Sequence, residues 1–106
     1  MDALELTTGH WILRAADDVF EAFGDVVLGS QRIHLRHLAV GVERRKNGDL
    51  RVRTGLAPSP DAPFYAGSAV VSGGTFMIDV PADQEPPLRS FLDQVGARTG
   101  RTLGTF

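Results

Sequence analysis

Along most of the chain, apolar and polar residues alternate with a period of two, the spacing of a strand with one buried face. Trp11 and Leu13 alternate with Ile12 and Arg14. Asp17-Asp18 follow as a turn signal, and "VFEAFG" places Val19 and Phe23 on one face. The pattern predicts a hairpin from Trp11 to Phe23 about the two aspartates. A helix over residues 15–23 is the alternative, with an acidic start and a terminal glycine. Farther on, Ile33 and Leu35 share a phase that Leu38, Val40 and Val42 do not, so a bulge, bend or break is required near Arg36-His37. "HLAVGVERR" and "LRVRT" then flank Lys46-Asn47-Gly48. A two-residue Asn-Gly turn would set Leu50 against Arg45 and Val52 against Glu43, mixing apolar and charged residues on one face. A three-residue loop with Gly48 left-handed instead pairs Val42 with Val52, Val40 with Thr54 and Glu43 with Arg51. The second register satisfies both faces and is the one predicted.

Beyond the proline-rich stretch "APSPDAP" (57–63), "FYAGSAVVSGG" and "TFMIDV" read as two more strands around a Gly73-Gly74 turn. Phe76, Ile78 and Val80 would form the buried face, and Thr75, Met77 and Asp79 the more exposed one. The period then changes. Leu88, Phe91, Leu92 and Val95 fall at i, i+3, i+4 and i+7, the apolar stripe of a helix over roughly 84–96. Pro86 and Pro87 are tolerable only in its first turn, Asp83 and Glu85 suit the positive end of its dipole, and Gly96 or Gly100 can end it. The tail 101–106, "RTLGTF", is expected to be loose unless Leu103 and Phe106 dock. The expected fold is mainly β, or α+β by count. It is a single domain over 1–106, with six to seven antiparallel strands within 9–80 and one C-terminal helix. A lone helix cannot cover one face of so large a sheet. Curling the sheet into a bent sandwich or small barrel, with the helix closing an end, buries both stripes.

Composition narrows the classes of function. At 106 residues, 42% hydrophobic and 23% charged, the chain has the make-up of one soluble globular domain. A formal net charge of -2 gives no global attraction to nucleic acid or anionic membrane. The absence of cysteine removes disulfides, thiol catalysis and zinc ribbons together. No stretch approaches the roughly 18 to 20 apolar residues of a membrane helix. The acidic start "MDALEL" is not that of a signal peptide, so a cytoplasmic protein is expected.

Three segments carry a family resemblance: the run from Trp11 to Phe23, "RIHLRHLAVGVERR", and "GGTFMIDVPADQEPPLRSFLDQV". Their layout resembles that of bacterial pleckstrin-homology-like (PH-like) domain proteins. There a segment of the type "r-i-p-l-r-h-i" leads into a strand, and a late strand ends at a proline before an acidic start to the last helix. His34 stands where those patterns often have proline, and 57–63 matches no part of them. The resemblance implies a strongly bent seven-stranded sheet closed by a C-terminal helix. It does not imply one ligand, since that superfold hosts peptide, lipid and protein binders.

The residues with chemical potential are few. His34 and His37 would share a face on a helix but oppose each other on a strand, and a third metal ligand would have to come from His10 or a distant carboxylate. Structural histidines, and no cofactor, are therefore expected. Arg44, Arg45, Lys46, Arg51 and Arg53 form a basic run able to hold phosphate by paired donors. Lys46, Arg51 and Arg53 are spaced as in the basic signature of lipid-binding PH domains, but on a middle hairpin where that signature belongs on the first. Glu43 and Asp49 sit among them as neutralising charges, and no aromatic is interleaved for nucleic acid. Ser68 and Ser72 lie in no nucleophile elbow, and "GSAVVSGG" lacks the lysine of a phosphate loop. Asp17-Asp18 is a pair of neighbouring carboxylates of the kind usually solvated at a turn. No catalytic residue is assigned. Alternation also sets Phe20 against Phe23 and Phe64 against Tyr65, so some aromatics should lie outside the core, as on a partner surface. The expected role is a non-enzymatic module that binds a protein or peptide, or its own copies. Binding of an anion or acidic lipid headgroup by the hairpin 44–53 is the alternative, and a small enzyme without a recognisable motif the second.

Overall fold

The computed structural model describes residues 3–24, 29–67, 73–104 and 106, with the side chains of 73–75 excepted. Eight strands and a helix follow one another: β1 Leu4–Thr8, β2 Trp11–Ala16, β3 Val19–Phe23, β4 Ser30–His34, β5 Leu38–Arg44, β6 Leu50–Leu56, β7 Tyr65–Ala66, β8 Gly73–Val80 and α1 Glu85–Thr99. They form two four-stranded sheets, ordered β1-β2-β3-β4 and β7-β5-β6-β8. All described pairings are antiparallel except β5 with β7. The single bent sheet of six to seven strands is thereby corrected to two sheets, and the described residues close no barrel.

Period-two patterning placed the central hairpins. β2 and β3 turn at Asp17-Asp18, where Ala16 pairs with Val19 and Asp17 takes φ 53. β5 and β6 pair Val42 with Val52, Val40 with Thr54 and Glu43 with Arg51, and Gly48 has φ 91. In that left-handed region a side chain would crowd the backbone, so glycine suits the loop. The phase break falls at a 3₁₀ turn over Leu35–His37, which carries the chain from the first sheet into the second.

One core joins the layers. Leu13, Phe20, Leu38, Val40, Val52, Ile78 and Val80 of the two sheets meet Leu88, Phe91, Leu92 and Val95 of α1, all buried. Burying each of those large helix side chains stabilises the fold by about 1.5–3 kcal/mol. Trp11 meets Phe76 edge to face across the sheets at 5.3 Å between ring centroids. Gln31 bridges them as well, donating to the Thr54 carbonyl at 3.2 Å and accepting from the Thr54 hydroxyl.

Four expectations need correction. Strands begin at Leu4, ahead of 9–80, because Leu6 and Thr8 turn inward and pair β1 with β2. Gly73 and Gly74 belong to β8, and β7 and β8 form no hairpin, since they lie at opposite ends of their sheet. Ser68, Ser72 and the rest of "SAVVS" lie outside the described residues. The helix runs to Thr99 with Gly100 as its left-handed cap; Gly96 lies inside it, buried where a Cβ would come 2.9 Å from the Phe64 ring. The tail docks. Phe64 N–H donates to the Thr102 carbonyl, and Gly104 N–H to that of Tyr65, each at 2.9 Å. Phe106 packs on Tyr65 at 5.4 Å and beneath the Arg89 guanidinium at 4.1 Å.

Candidate functional site

The basic run is brought together on the β5–β6 hairpin, but not as free charge. Arg44 pairs with Glu85 at the helix start and donates to the Gly48 carbonyl. Arg45 and Arg51 both face Asp79 of β8, at 3.7 and 3.5 Å. Asp49 accepts from the Ala82 N–H at 3.1 Å. Three of the four arginines thus have carboxylate partners, and both partners, Glu85 and Asp79, lie too far along the sequence to be anticipated. Lys46 stands at the exposed loop tip, where Glu43, Arg44, Arg45 and Asn47 line an open depression with it. Arg53 lies in register between Gly41 and Met77, and its Nε is buried without a hydrogen-bond partner. The Glu85 carboxyl is held below its ordinary value by hydrogen bonds from Arg44 and then Arg89.

His34 and His37 do meet. A 3₁₀ turn has three residues per turn, so positions i and i+3 eclipse, and the two rings stand 6.1 Å apart between centroids. His34 Nδ1 accepts the Arg36 N–H at 3.3 Å. Among the described residues, no group of three His, Cys, Asp or Glu converges. Asp17 and Asp18 form the β2–β3 turn, with the Asp18 carbonyl accepting from Leu35 N–H at 2.7 Å.

Of the aromatic pairs set in opposition by alternation, one splits as expected: Phe20 is buried and Phe23 is 39% exposed beside its cross-strand neighbour Ile12 at 40%. The other does not. Phe64 and Tyr65 are both buried, because helix and tail cover β7 and the Tyr65 hydroxyl donates to Asp93. Burial and that bond raise the Tyr65 pKa.

The surface with the most unmet binding capacity is a sheet edge. Two four-stranded sheets have four edge strands, and their protection differs. β7 is two residues long and covered by the tail. β1 lies beside α1. β4 is five residues long, carries Arg32, and is tied to β6 through Gln31. β8 is eight residues long, the longest described strand, and pairs only with β6 among the described residues. Its sequence, GGTFMIDV, has no proline, lysine or arginine to deter an incoming strand. Met77 on its outer face is 52% exposed, the most of any large apolar residue described.

The direction of the free main-chain groups follows from the ladder. Arg45 N–H donates to the Asp49 carbonyl across the hairpin, and Val40 N–H to Phe64 on the opposite side of β5. Antiparallel pairs alternate between bonded and non-bonded, so Arg51 and Arg53 bond to β5 while Leu50, Val52 and Thr54 bond to β8. Their partners are Val80, Ile78 and Phe76. The N–H and C=O of Met77 and Asp79 consequently point out of the open edge.

No helix among the described residues is long and apolar enough to cross a membrane. No family model matches the chain, and no curated protein or solved structure shows significant similarity to it.

Proposed function

We propose that this protein is a non-enzymatic binding module with a PH-like architecture, and that it recognises an extended protein or peptide segment by adding it as a strand to β8. The architectural part is supported by two sheets joined through a corner at Leu35–His37 and by a helix that follows the last strand after Pro81 and a 3₁₀ turn over Ala82–Gln84. The observation that carries the binding part is the open edge of β8, regular from Phe76 to Val80, with the main-chain groups of Met77 and Asp79 directed outward. Main-chain hydrogen bonds supply the affinity in this mode, and alternate side chains supply the selectivity. Anion binding by Arg44, Arg45, Lys46, Arg51 and Arg53 is disfavoured, because Arg44, Arg45 and Arg51 already face Glu85 and Asp79.

Met77→Pro is the discriminating variant. Its missing N–H faces solvent, where proline is tolerated on an edge strand, yet an incoming strand loses a donor. Peptides selected from a random-sequence display library should bind the protein and lose affinity by about tenfold or more in Met77→Pro, the equivalent of one hydrogen bond. A triple Arg44→Ala, Arg45→Ala, Lys46→Ala variant should bind them normally. Peptide binding that survives Met77→Pro would contradict the proposal. So would sedimentation with acidic vesicles that only the triple variant abolishes.

A further inference from the structure

We infer that the strand added to β8 is β8 of a second copy, paired antiparallel about a two-fold axis at Met77. The inference rests on the strand-addition reading above and names its partner. Self-complementarity is a property of particular registers, and this edge has a favourable one. With Met77 opposite Met77 of the second copy, Asp79 falls opposite Thr75 and Thr75 opposite Asp79. The ladder to β6 is regular from Phe76 to Val80 and shifts register between Thr54 and Leu56, beside Thr75. Met77 and Asp79 are therefore the residues whose main-chain groups face outward, and the central Met77 pair is the one that exchanges both hydrogen bonds.

Charge and chain ends select the same register. Asp79 is the only charged residue on β8, and pairing at Met77 keeps the two Asp79 side chains four positions apart, about 13 Å by strand rise. Each stays beside Arg45 and Arg51 of its own chain. Moving the axis to Asp79 would set the two carboxylates face to face, which is destabilising. Moving it to Ile78 would bring Pro81, which lacks an N–H, opposite Thr75. The Met77 register also covers the two most exposed apolar side chains with each other and joins the β7-β5-β6-β8 sheets of both copies into one. A single strand pairing buries less than the roughly 1,200–2,000 Å² of a stable specific interface, so association should be reversible and concentration-dependent.

The chain has no cysteine, so a single introduced thiol is unambiguous. Light scattering on the wild type, up to about 1 mM where weak strand pairing is populated, should show the mass rising toward twice the 11.4 kDa of one chain. Met77→Cys should form covalent dimers with a short thiol-to-thiol cross-linker at least ten times faster than Ile12→Cys, an exposed control position on the other sheet. Met77→Pro and Met77→Lys, each checked for a native circular dichroism spectrum, should remain monomeric. A wild type that stays monomeric, with Met77→Cys cross-linking no faster than Ile12→Cys, would overturn the inference. A dimer that persists in both Met77→Pro and Met77→Lys would also overturn it. Neither result bears on whether a foreign peptide adds to β8, which the peptide selection decides separately.

Discussion

Asp17 shows how one residue bears the geometry of a turn. Its φ of 53 lies in the left-handed region, where aspartate is tolerated better than most non-glycine residues. Replacing it with glycine removes the steric cost but raises the entropy of the unfolded chain, so Asp17→Gly should change stability by less than about 0.5 kcal/mol in urea unfolding. Asp17→Val places a β-branched side chain there and should cost roughly 1–2 kcal/mol. Tyr65 bears a different load. Its hydroxyl donates to Asp93, and Tyr65→Phe should lose about 1 kcal/mol, the net worth of an ordinary hydrogen bond. The raised pKa adds a pH signature. The folded state holds the phenolic proton more tightly than the unfolded state, whose pKa is near 10.0. That contribution is fully present below pH 10 and is lost as pH rises through the folded value. Alkaline titrations of stability should therefore fall less steeply for Tyr65→Phe.

At the level of elements, the helix is clamped from several sides. Pro86 and Pro87 occupy its first turn, the Glu85 carboxylate takes Arg44 from the hairpin and Arg89 from the next turn, and Gly96 admits Phe64 and Leu103 against its last turns. Gly96→Ala gains about 1 kcal/mol of helix propensity, but its Cβ meets the Phe64 ring. Overpacking of about 1–3 kcal/mol should win, giving a lower melting temperature and a detached tail. Glu85 gives the acid-side counterpart. Its folded pKa lies below the ordinary 4.5, so its contribution is present above that value and lost as pH falls through the folded one. Glu85→Gln should flatten the loss of stability on acidification.

These elements also mark what the chain discloses locally. The hairpin register could be read because Val42 and Val52 must share a buried face with Leu50 near the turn, and the helix because Leu88, Phe91, Leu92 and Val95 make one stripe. β1 was hidden because Thr8 stands where an apolar residue would have completed the alternation. The two-residue β7, its parallel pairing to β5 and the docking of Phe106 depend on partners dozens of positions away. The same distance concealed Glu85 and Asp79, so the arginine hairpin looked more strongly basic in sequence than its surroundings make it. The outward face of β8 was legible at Met77 and Asp79; its place at the end of a sheet was not.

For the whole molecule, the four sheet edges decide the functional account. Three are shortened, covered or tied down, and β8 is neither short nor charged along its outer row beyond Asp79. Its amide exchange, residue by residue in NMR, tests that account most directly. At the lowest workable concentration, the Phe76, Ile78 and Val80 amides should be protected through their bonds to β6, while those of Met77 and Asp79 exchange freely. Raising the concentration, or adding a selected peptide, should slow Met77 and Asp79 and leave the β6-bonded amides unchanged. Uniform protection along β8 in the dilute monomer, or free exchange at Met77 and Asp79 under every condition, would contradict a β8 edge that takes an added strand.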